Sequence, residues 1–173
     1  KRDAEYVAHV IAAWVERYLD APSLAATASN EPRKVVVQET RLGKFQQDVI
    51  VGPHHLTADE PQSVGGQDSG PNPYELLLSG LGACTSMTMR IYAERKSLPL
   101  DRVTVTLKHS KIYAEDCASC ETKTGMLDQI ERVIAIEGEL SAEQRSKLME
   151  IADKCPVHRT LTSEIHIVTR AAD

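Results

Sequence analysis

Aromatic residues and basic charge are both scarce in this chain. Its 173 residues include one Phe and one Trp, so the core must consist mainly of Val, Ile, Leu and Ala side chains. The 20 Lys and Arg residues are outnumbered by 25 Asp and Glu, which gives a net charge of -5. That balance argues against nucleic acid or an anionic membrane surface as the main partner.

Long apolar segments and several well-known catalytic motifs are also missing. The run from Leu76 to Met89 contains no charged residue, but it is shorter than the roughly 18 residues of a membrane span. No secretory signal is visible, so we expect a cytoplasmic protein. The G-x-S-x-G of α/β-hydrolases and the Gly-Lys-Ser/Thr of a phosphate loop are absent, which argues against both chemistries.

The stretch from Asn72 to Lys96 predicts a helix around which the domain is organised. Asn72 suits the N-cap, Pro73 suits the first helical position, and Glu75 completes a capping box. Because no charge interrupts the next turns, we expect this helix to be mostly buried, with Cys84 on an apolar face. Its small residues, such as Gly82, should let another backbone approach closely.

The rest of the chain predicts an α+β domain with antiparallel sheets. Residues 1–20 form a predicted amphipathic helix, residues 21–32 a linker, and residues 33–173 the main domain. The predicted strands are 35–37, 44–51, 54–58, 102–108, 132–137 and 164–169. A second helix begins with a capping box at Ser141 and should end at Pro156, with Cys155 on its apolar face.

Cys84 and Cys155 are the residues most suited to chemistry, because the two predicted helices would bring them together. They fit either a reactive thiol pair or two small buried hydrophobes. A reactive cysteine needs a lowered pKa, and the helix C-terminus would raise that of Cys155. The cation that activates Cys84 would therefore come from elsewhere, with Arg41, His158 and Arg159 as candidates.

Two motifs give the chain a recognisable pattern. The run SGPNPYELLLSGLGACTSMTMRIYAERK at 69–96 and KCPVHRTL at 154–161 resemble the OsmC/Ohr family of thiol-dependent peroxidases, nearest in character to its YhfA-like branch. The resemblance implies an intertwined homodimer in which antiparallel sheets wrap two central helices. It also implies that Cys84 is the peroxidatic cysteine and that Cys155 resolves it as a disulfide, which an external dithiol then reduces.

The start of the central helix departs from the family pattern. Family members carry Glu directly after Asn-Pro, where it orients an active-site Arg, whereas this chain has Tyr74 there and Glu75 one residue later. We take Glu75 and Arg41 as catalytic candidates, and Tyr74 as a substrate-binding residue whose hydroxyl can donate to a peroxide oxygen. Three further residues are expected to form the apolar walls of the substrate site: Leu77, Leu81 and Met87.

The N-terminal segment resembles the last helix of an α/β-hydrolase domain. Some OsmC-like domains follow such a hydrolase in a fusion, so we expect residues 1–20 to be the remnant of a preceding domain.

Cys117 and Cys120 form a C-x-x-C in a polar stretch. This pair fits an exposed dithiol that oxidises slowly, half of a metal site completed across a dimer, or an auxiliary redox pair. We assign no metal site and no organic cofactor. The resulting hypothesis is a homodimeric peroxidase of small organic hydroperoxides, with a non-catalytic dimeric binding or redox-sensing module as its rival.

Overall fold

The computed structural model describes residues 34–172 and the isolated position 7. The chain divides into two compact units, 1–70 and 71–173, each with its own internal contacts. The predicted N-terminal helix at 1–20 and the linker at 21–32 lie outside the described residues, apart from that one position.

The described part of the first unit is a three-stranded antiparallel sheet. Strands β1 (Val35–Glu39), β2 (Gln47–Val51) and β3 (His54–Ala58) pair in sequence order. β2 begins at Gln47 and not at Lys44 as predicted, because residues 41–45 bend between the strands. Arg41 has a left-handed φ of 60° in this bend.

A buried carboxylate organises the loop that follows β3. Asp59 accepts hydrogen bonds from the backbone N–H groups of Glu60, Gln67 and Ser69, and from the Ser69 hydroxyl. Burial opposes the charged form of Asp59, but these bonds together lower its pKa. The loop therefore has a fixed shape although it contains no strand.

The second unit is built on helix α1 (Pro73–Arg95). Its predicted start is confirmed, since the Asn72 side chain accepts from Glu75 N–H at 3.0 Å and the Glu75 carboxylate accepts from Asn72 N–H at 2.8 Å. The expectation of a mostly buried helix was wrong. Its buried residues are Leu81, Gly82, Thr85, Met89 and Ala93, and Cys84 beside them is only partly buried.

A long antiparallel hairpin packs against α1. Strands β4 (Arg102–Tyr113) and β5 (Met126–Glu137) pair along their whole length, from Arg102–Glu137 to Tyr113–Met126. Both strands run further into the polar region than their apolar alternation predicted. Gly82 provides a close approach to this hairpin, since a Cβ there would stand 2.8 Å from Leu107 Cδ1.

The last part of the chain departs most from the sequence prediction. Helix α2 (Ala142–Ala152) begins at the predicted Ser141 capping box but ends before Cys155. Pro156 starts a further helix, α3 (Pro156–Leu161), because proline fits the first position of a helix as well as it ends one. The predicted strand at 164–169 is wrong, since these residues pair with no described strand.

The described core of this unit lies where α1, α2 and the start of β4 meet. Its buried cluster comprises Met89, Ala93, Leu100, Leu148 and Ala152. The predicted α+β class with antiparallel sheets is confirmed.

Two glycines with positive φ allow a matched stability test. Gly138 has a φ of 137° and a Cβ there would stand 2.2 Å from the Pro99 carbonyl oxygen, whereas Gly125 has a φ of 90° and no neighbour within 4 Å. We expect Gly138→Ala to lower the free energy of unfolding by about 3 kcal/mol or more, and Gly125→Ala by about 1 kcal/mol. Urea denaturation measures both, and equal losses would contradict the steric explanation.

Candidate functional site

Cys84 and Cys155 come together within the second unit. Cys84 lies in the middle of α1 and is half-buried, whereas Cys155 caps the N-terminus of α3 and is fully buried, with 0 % exposure. Both thiols are free, and they are close enough that each one shifts the pKa of the other. The two cysteines therefore lie close together, as predicted. Cys155, however, lies in the turn before α3 and not on the face of α2.

The surroundings of Cys84 favour its protonated form. Burial raises the pKa of this thiol, and the hydrogen bond and charge of Cys155 raise it further. Hydrogen bonds from the Val157 backbone and from the Thr88 side chain act in the opposite direction without reversing the rise.

The surroundings of Cys155 favour its thiolate. Burial alone would raise its pKa, but hydrogen bonds from Cys84, from the His158 and Val157 backbone and from Thr85 lower it. The His158 N–H donates to the Cys155 sulfur at 3.5 Å. The prediction of a raised pKa for Cys155 was therefore wrong, because the residue lies beyond the end of α2 and caps the next helix.

Arg132 is a largely buried cation that the sequence analysis did not identify. Its guanidinium donates to the Thr85 hydroxyl at 3.1 Å, to the Ala152 carbonyl at 3.3 Å and to the Asp153 carboxylate at 2.5 Å. Its side chain is 13 % exposed. The signal was present in β5, where Arg132 occupies the inward position between Ile130 and Ile134 in an otherwise alternating strand.

A cleft of about 370 Å³ opens beside these residues, between β5 and α3. Apolar side chains form part of its wall, and Arg132, His158 and Asp128 contribute polar groups. The full lining is Leu81, Asp128, Ile130, Arg132, His158, Leu161 and Thr162. Such a wall can hold a small molecule that is mainly apolar and carries one polar end.

Tyr74 belongs to a network that reaches this cleft through Asp128. Its ring stacks on His109 with centroids 4.1 Å apart, and His109 Nε2 lies 2.8 Å from the Asp128 carboxylate. The His109 hydrogen bond, helped by Lys111, lowers the pKa of Asp128. Tyr74 is therefore held by the hairpin, while its contact with a substrate stays a prediction.

The other predicted site residues are dispersed. Glu75 uses its carboxylate in the helix cap, and Arg41 lies in the first unit, so their catalytic roles stay predictions. Leu81 lines the cleft, whereas Leu77 and Met87 are exposed on α1, with Met87 64 % exposed. Among the candidate cations of this unit, His158 lines the cleft and Arg159 lines a separate depression along α3.

Family comparison agrees with the two cysteine motifs. The profile of the OsmC-like protein family matches residues 66–170, which include α1, both hairpin strands, α2, α3 and both free cysteines. The chain belongs to the OsmC-like protein family. No curated protein sequence matches it.

Solved structures share the fold of this OsmC-like chain at low sequence identity. An organic hydroperoxide resistance protein OsmC of Legionella pneumophila is 21% identical with a TM-score of 0.57, covering 78% of this chain and 91% of its own. An OsmC-like protein of Mycoplasma pneumoniae is 19% identical with a TM-score of 0.58, covering 77% and 89%. The organic hydroperoxide resistance protein OhrB of Bacillus subtilis is 18% identical with a TM-score of 0.52, covering 78% and 93%.

The C-x-x-C of this OsmC-like chain lies in the connection between β4 and β5. Cys117 and Cys120 form a disulfide with a Cα–Cα distance of 5.4 Å, within the usual range. This state agrees with the expectation of a pair that oxidises, although both cysteines are half-buried and not exposed. In the disulfide neither sulfur is a thiolate, so it offers no metal ligand.

Two further findings concern ligands and membranes. Among the residues that the structure describes, no three His, Cys, Asp or Glu side chains cluster as a metal site would require. None of the described helices has both the length and the apolar character needed to cross a bilayer.

Proposed function

We propose that this chain is a thiol-dependent peroxidase that reduces small organic hydroperoxides in oxidative-stress defence. The observation that carries the proposal is the pair of free, neighbouring cysteines, with the more exposed Cys84 beside the fully buried Cys155. Fold similarity to two proteins named for organic hydroperoxide resistance supports it. We assign Cys84 as the peroxidatic cysteine, because a peroxide must reach the sulfur it oxidises, and Cys155 as the resolving one.

Attack requires the thiolate of Cys84. In this proposal Cys155, whose pKa is lowered, acts as the base: once ionised, it takes the proton from the neighbouring Cys84. The Cys84 thiolate then attacks the outer peroxide oxygen, the O–O bond breaks, and the alkoxide leaves and takes the proton from Cys155. Cys84 is now a sulfenic acid and Cys155 is again a thiolate.

Resolution follows at the same pair. The Cys155 thiolate attacks the Cys84 sulfur, the S–S bond forms, the S–O bond breaks, and hydroxide leaves and takes a proton from solvent to become water. The net reaction converts two thiols and a hydroperoxide into a disulfide, an alcohol and water. An external dithiol returns the pair to thiols, so the sulfurs carry all the electrons and no metal or organic cofactor is required.

The cleft suits an organic peroxide. Leu81, Ile130 and Leu161 offer apolar contacts for an alkyl or aryl group, and burying such a group is favourable by about 25 cal/mol per Å² of apolar surface. Hydrogen peroxide gains nothing from those contacts, so we expect a preference for organic hydroperoxides. In this proposal Tyr74 contacts the bound substrate. Arg41 and Glu75 keep the catalytic roles that the family resemblance implies for them.

A second copy of the chain is part of the proposal. Leu77, Met87 and Ile91 are exposed apolar residues on α1, the helix that carries Cys84. A homodimer built on this helix would cover them and complete the apolar wall for which we named Leu77 and Met87. We place the protein in the cytoplasm, where dithiol reductants keep the cysteine pair reduced.

One observation favours the rival function of a binding or redox-sensing module. Burial and Cys155 raise the pKa of Cys84, the opposite of what a fast peroxidatic cysteine needs. A protein of this second kind would hold a small apolar molecule in the cleft and would react with peroxide slowly or without turnover.

Peroxide-induced disulfide formation separates the two functions. We expect one equivalent of cumene hydroperoxide, added to dithiol-reduced protein, to form a Cys84–Cys155 disulfide within seconds, detected by alkylation and peptide mass spectrometry. The Cys117→Ser/Cys120→Ser variant is the matched control and should form the same bond. A bond from Cys84 to Cys117 or Cys120 would remove Cys155 as the resolving residue, and unreacted thiols would favour the binding module.

A further inference from the structure

Arg132 reaches the helix that carries Cys84. It stands on β5 opposite Leu107 of β4, so the long hairpin fixes its backbone. Its Nη1 donates to the Thr85 hydroxyl at 3.1 Å. Thr85 directly follows Cys84, has 0 % exposure, and donates in turn to the Leu81 carbonyl at 2.8 Å. This side of the guanidinium is therefore attached to a buried turn of α1.

The same guanidinium reaches the segment that carries Cys155. Its Nη1 also donates to the Ala152 carbonyl at 3.3 Å, and its Nη2 donates to the Asp153 carboxylate at 2.5 Å. The Ala152 carbonyl accepts as well from the Cys155 N–H, at 3.4 Å. Arg132 therefore holds the carbonyl to which the backbone of Cys155 is itself bonded.

Stability alone explains this arrangement poorly. The Arg132 side chain is 13 % exposed whereas that of Asp153 is 66 % exposed. Burying a guanidinium costs solvation energy, and an ion pair repays that cost only in part. The planar fork of an arginine is better suited to holding acceptors from different segments in fixed directions, which a flexible lysine ammonium does not do.

We propose that Arg132 is a positioning residue that aligns Cys84 and Cys155 for disulfide formation. The inference rests on the proposed function, in which these two sulfurs are oxidised to each other. A disulfide requires a narrow range of Cα–Cα distances and side-chain directions, and holding two reacting groups in place raises their effective concentration. Because α1 and the turn before α3 are bonded to one side chain, the two sulfurs keep a fixed relative position.

The experiment measures the equilibrium between the dithiol and the disulfide of this pair. The full chain carrying Cys117→Ser/Cys120→Ser retains only Cys84 and Cys155 of its four cysteines, and it is equilibrated with mixtures of reduced and oxidised glutathione. Each Cys84–Cys155 disulfide consumes one oxidised glutathione and releases two reduced molecules, so the equilibrium constant gives the effective concentration of the two thiols. Acid quenching, alkylation and mass spectrometry quantify both forms.

Arg132→Met removes these three hydrogen bonds at similar side-chain length. We expect it to lower the effective concentration of the pair about tenfold or more, which raises the reduction potential by about 30 mV for each factor of ten. Arg132→Lys keeps the charge but loses the fork, so it should recover little of the loss. Thr85→Val removes the acceptor on α1 and should act in the same direction, with no further loss when it is added to Arg132→Met.

Arg145 provides the matched control. It lies near the start of α2, at the opposite end from Cys155, and its guanidinium donates to the Ile136 and Gly138 carbonyls at 2.6 and 2.8 Å. It therefore also joins α2 to the hairpin. Arg145→Met should leave the effective concentration of the two thiols within about twofold of the parent.

Four outcomes would overturn the proposal. They are an unchanged effective concentration in Arg132→Met, an equal loss in Arg145→Met, full retention in Arg132→Lys, and a parent chain that forms no Cys84–Cys155 disulfide in oxidised glutathione. If Arg132→Met does not fold, Arg132→Lys and Thr85→Val decide in its place. Because the equilibrium uses no peroxide, the proposed peroxidase activity can fail while this inference holds, or hold while it fails.

Discussion

Replacing Cys84 with serine is expected to lower the rate of organic hydroperoxide reduction by roughly 10³-fold or more. Serine keeps the size of the side chain, but its hydroxyl is not ionised and cannot accept the peroxide oxygen as a stable sulfenic acid does. The measurement is NADPH-coupled turnover of cumene hydroperoxide with a dithiol reductant and its reductase. Retained turnover would contradict the assignment of Cys84 as the peroxidatic cysteine.

Three matched variants test the role of each cysteine in this reaction. Cys117→Ser changes a cysteine of the partly exposed Cys117–Cys120 disulfide and should leave turnover within about twofold of the original, since it lies outside the cleft lining. In Cys155→Ser the reaction should stop at the sulfenic acid of Cys84, which dimedone labels. In Cys84→Ser dimedone should label no cysteine. Trapping on Cys155 in that last variant would exchange the roles of the two cysteines.

The helix starts were the most predictable part of the fold. Asn72 and Ser141 each begin a capping box within four residues, so neighbouring side chains alone specify where α1 and α2 begin. Helix ends were harder, as Pro156 illustrates. A proline excludes helix at the residue before it and favours one at its own position, so the same residue is compatible with an end and with a start.

The strand prediction at 164–169 failed for a different reason. Its alternation, with Ile165 and Ile167 exposed on the described chain, satisfies the local requirement of a strand. A strand also needs a second backbone to receive its hydrogen bonds, and no described strand provides one there. Local pattern therefore cannot establish this element.

The sequence identified the two cysteines of the candidate site, but it did not identify the charged group next to them. Cys84 and Cys155 were found from motifs, since thiols are rare and each lies in a distinctive run. Arg132 is hydrogen-bonded to Thr85 and Asp153, residues 47 and 21 positions away in the chain. Only the pairing of β4 with β5 and their packing on α1 bring these groups together, and sequence spacing does not encode that.

Leu148→Ala is expected to produce the largest loss of stability among single core substitutions, about 2–5 kcal/mol in the free energy of unfolding. Leu148 has 0 % exposure and belongs to the buried cluster with Met89 and Ala152. Removing its side chain leaves a cavity between α1 and α2 that the helices can close only in part. Urea denaturation at a fixed protein concentration measures the loss, since a dimer would link stability to concentration.

The adjacent Met149 provides the control, because it lies on the same helix and is 43 % exposed. Met149→Ala should change the free energy of unfolding by no more than about 1 kcal/mol, and equal losses in the two variants would show that α2 does not pack as described. The damage should extend to the thiols, because α2 leads through Asp153 directly to Cys155. If Leu148→Ala does not fold, Leu148→Val creates a smaller cavity and should still lose more unfolding free energy than Met149→Ala. The Cys84–Cys155 disulfide should also form more slowly in Leu148→Val than in Met149→Ala.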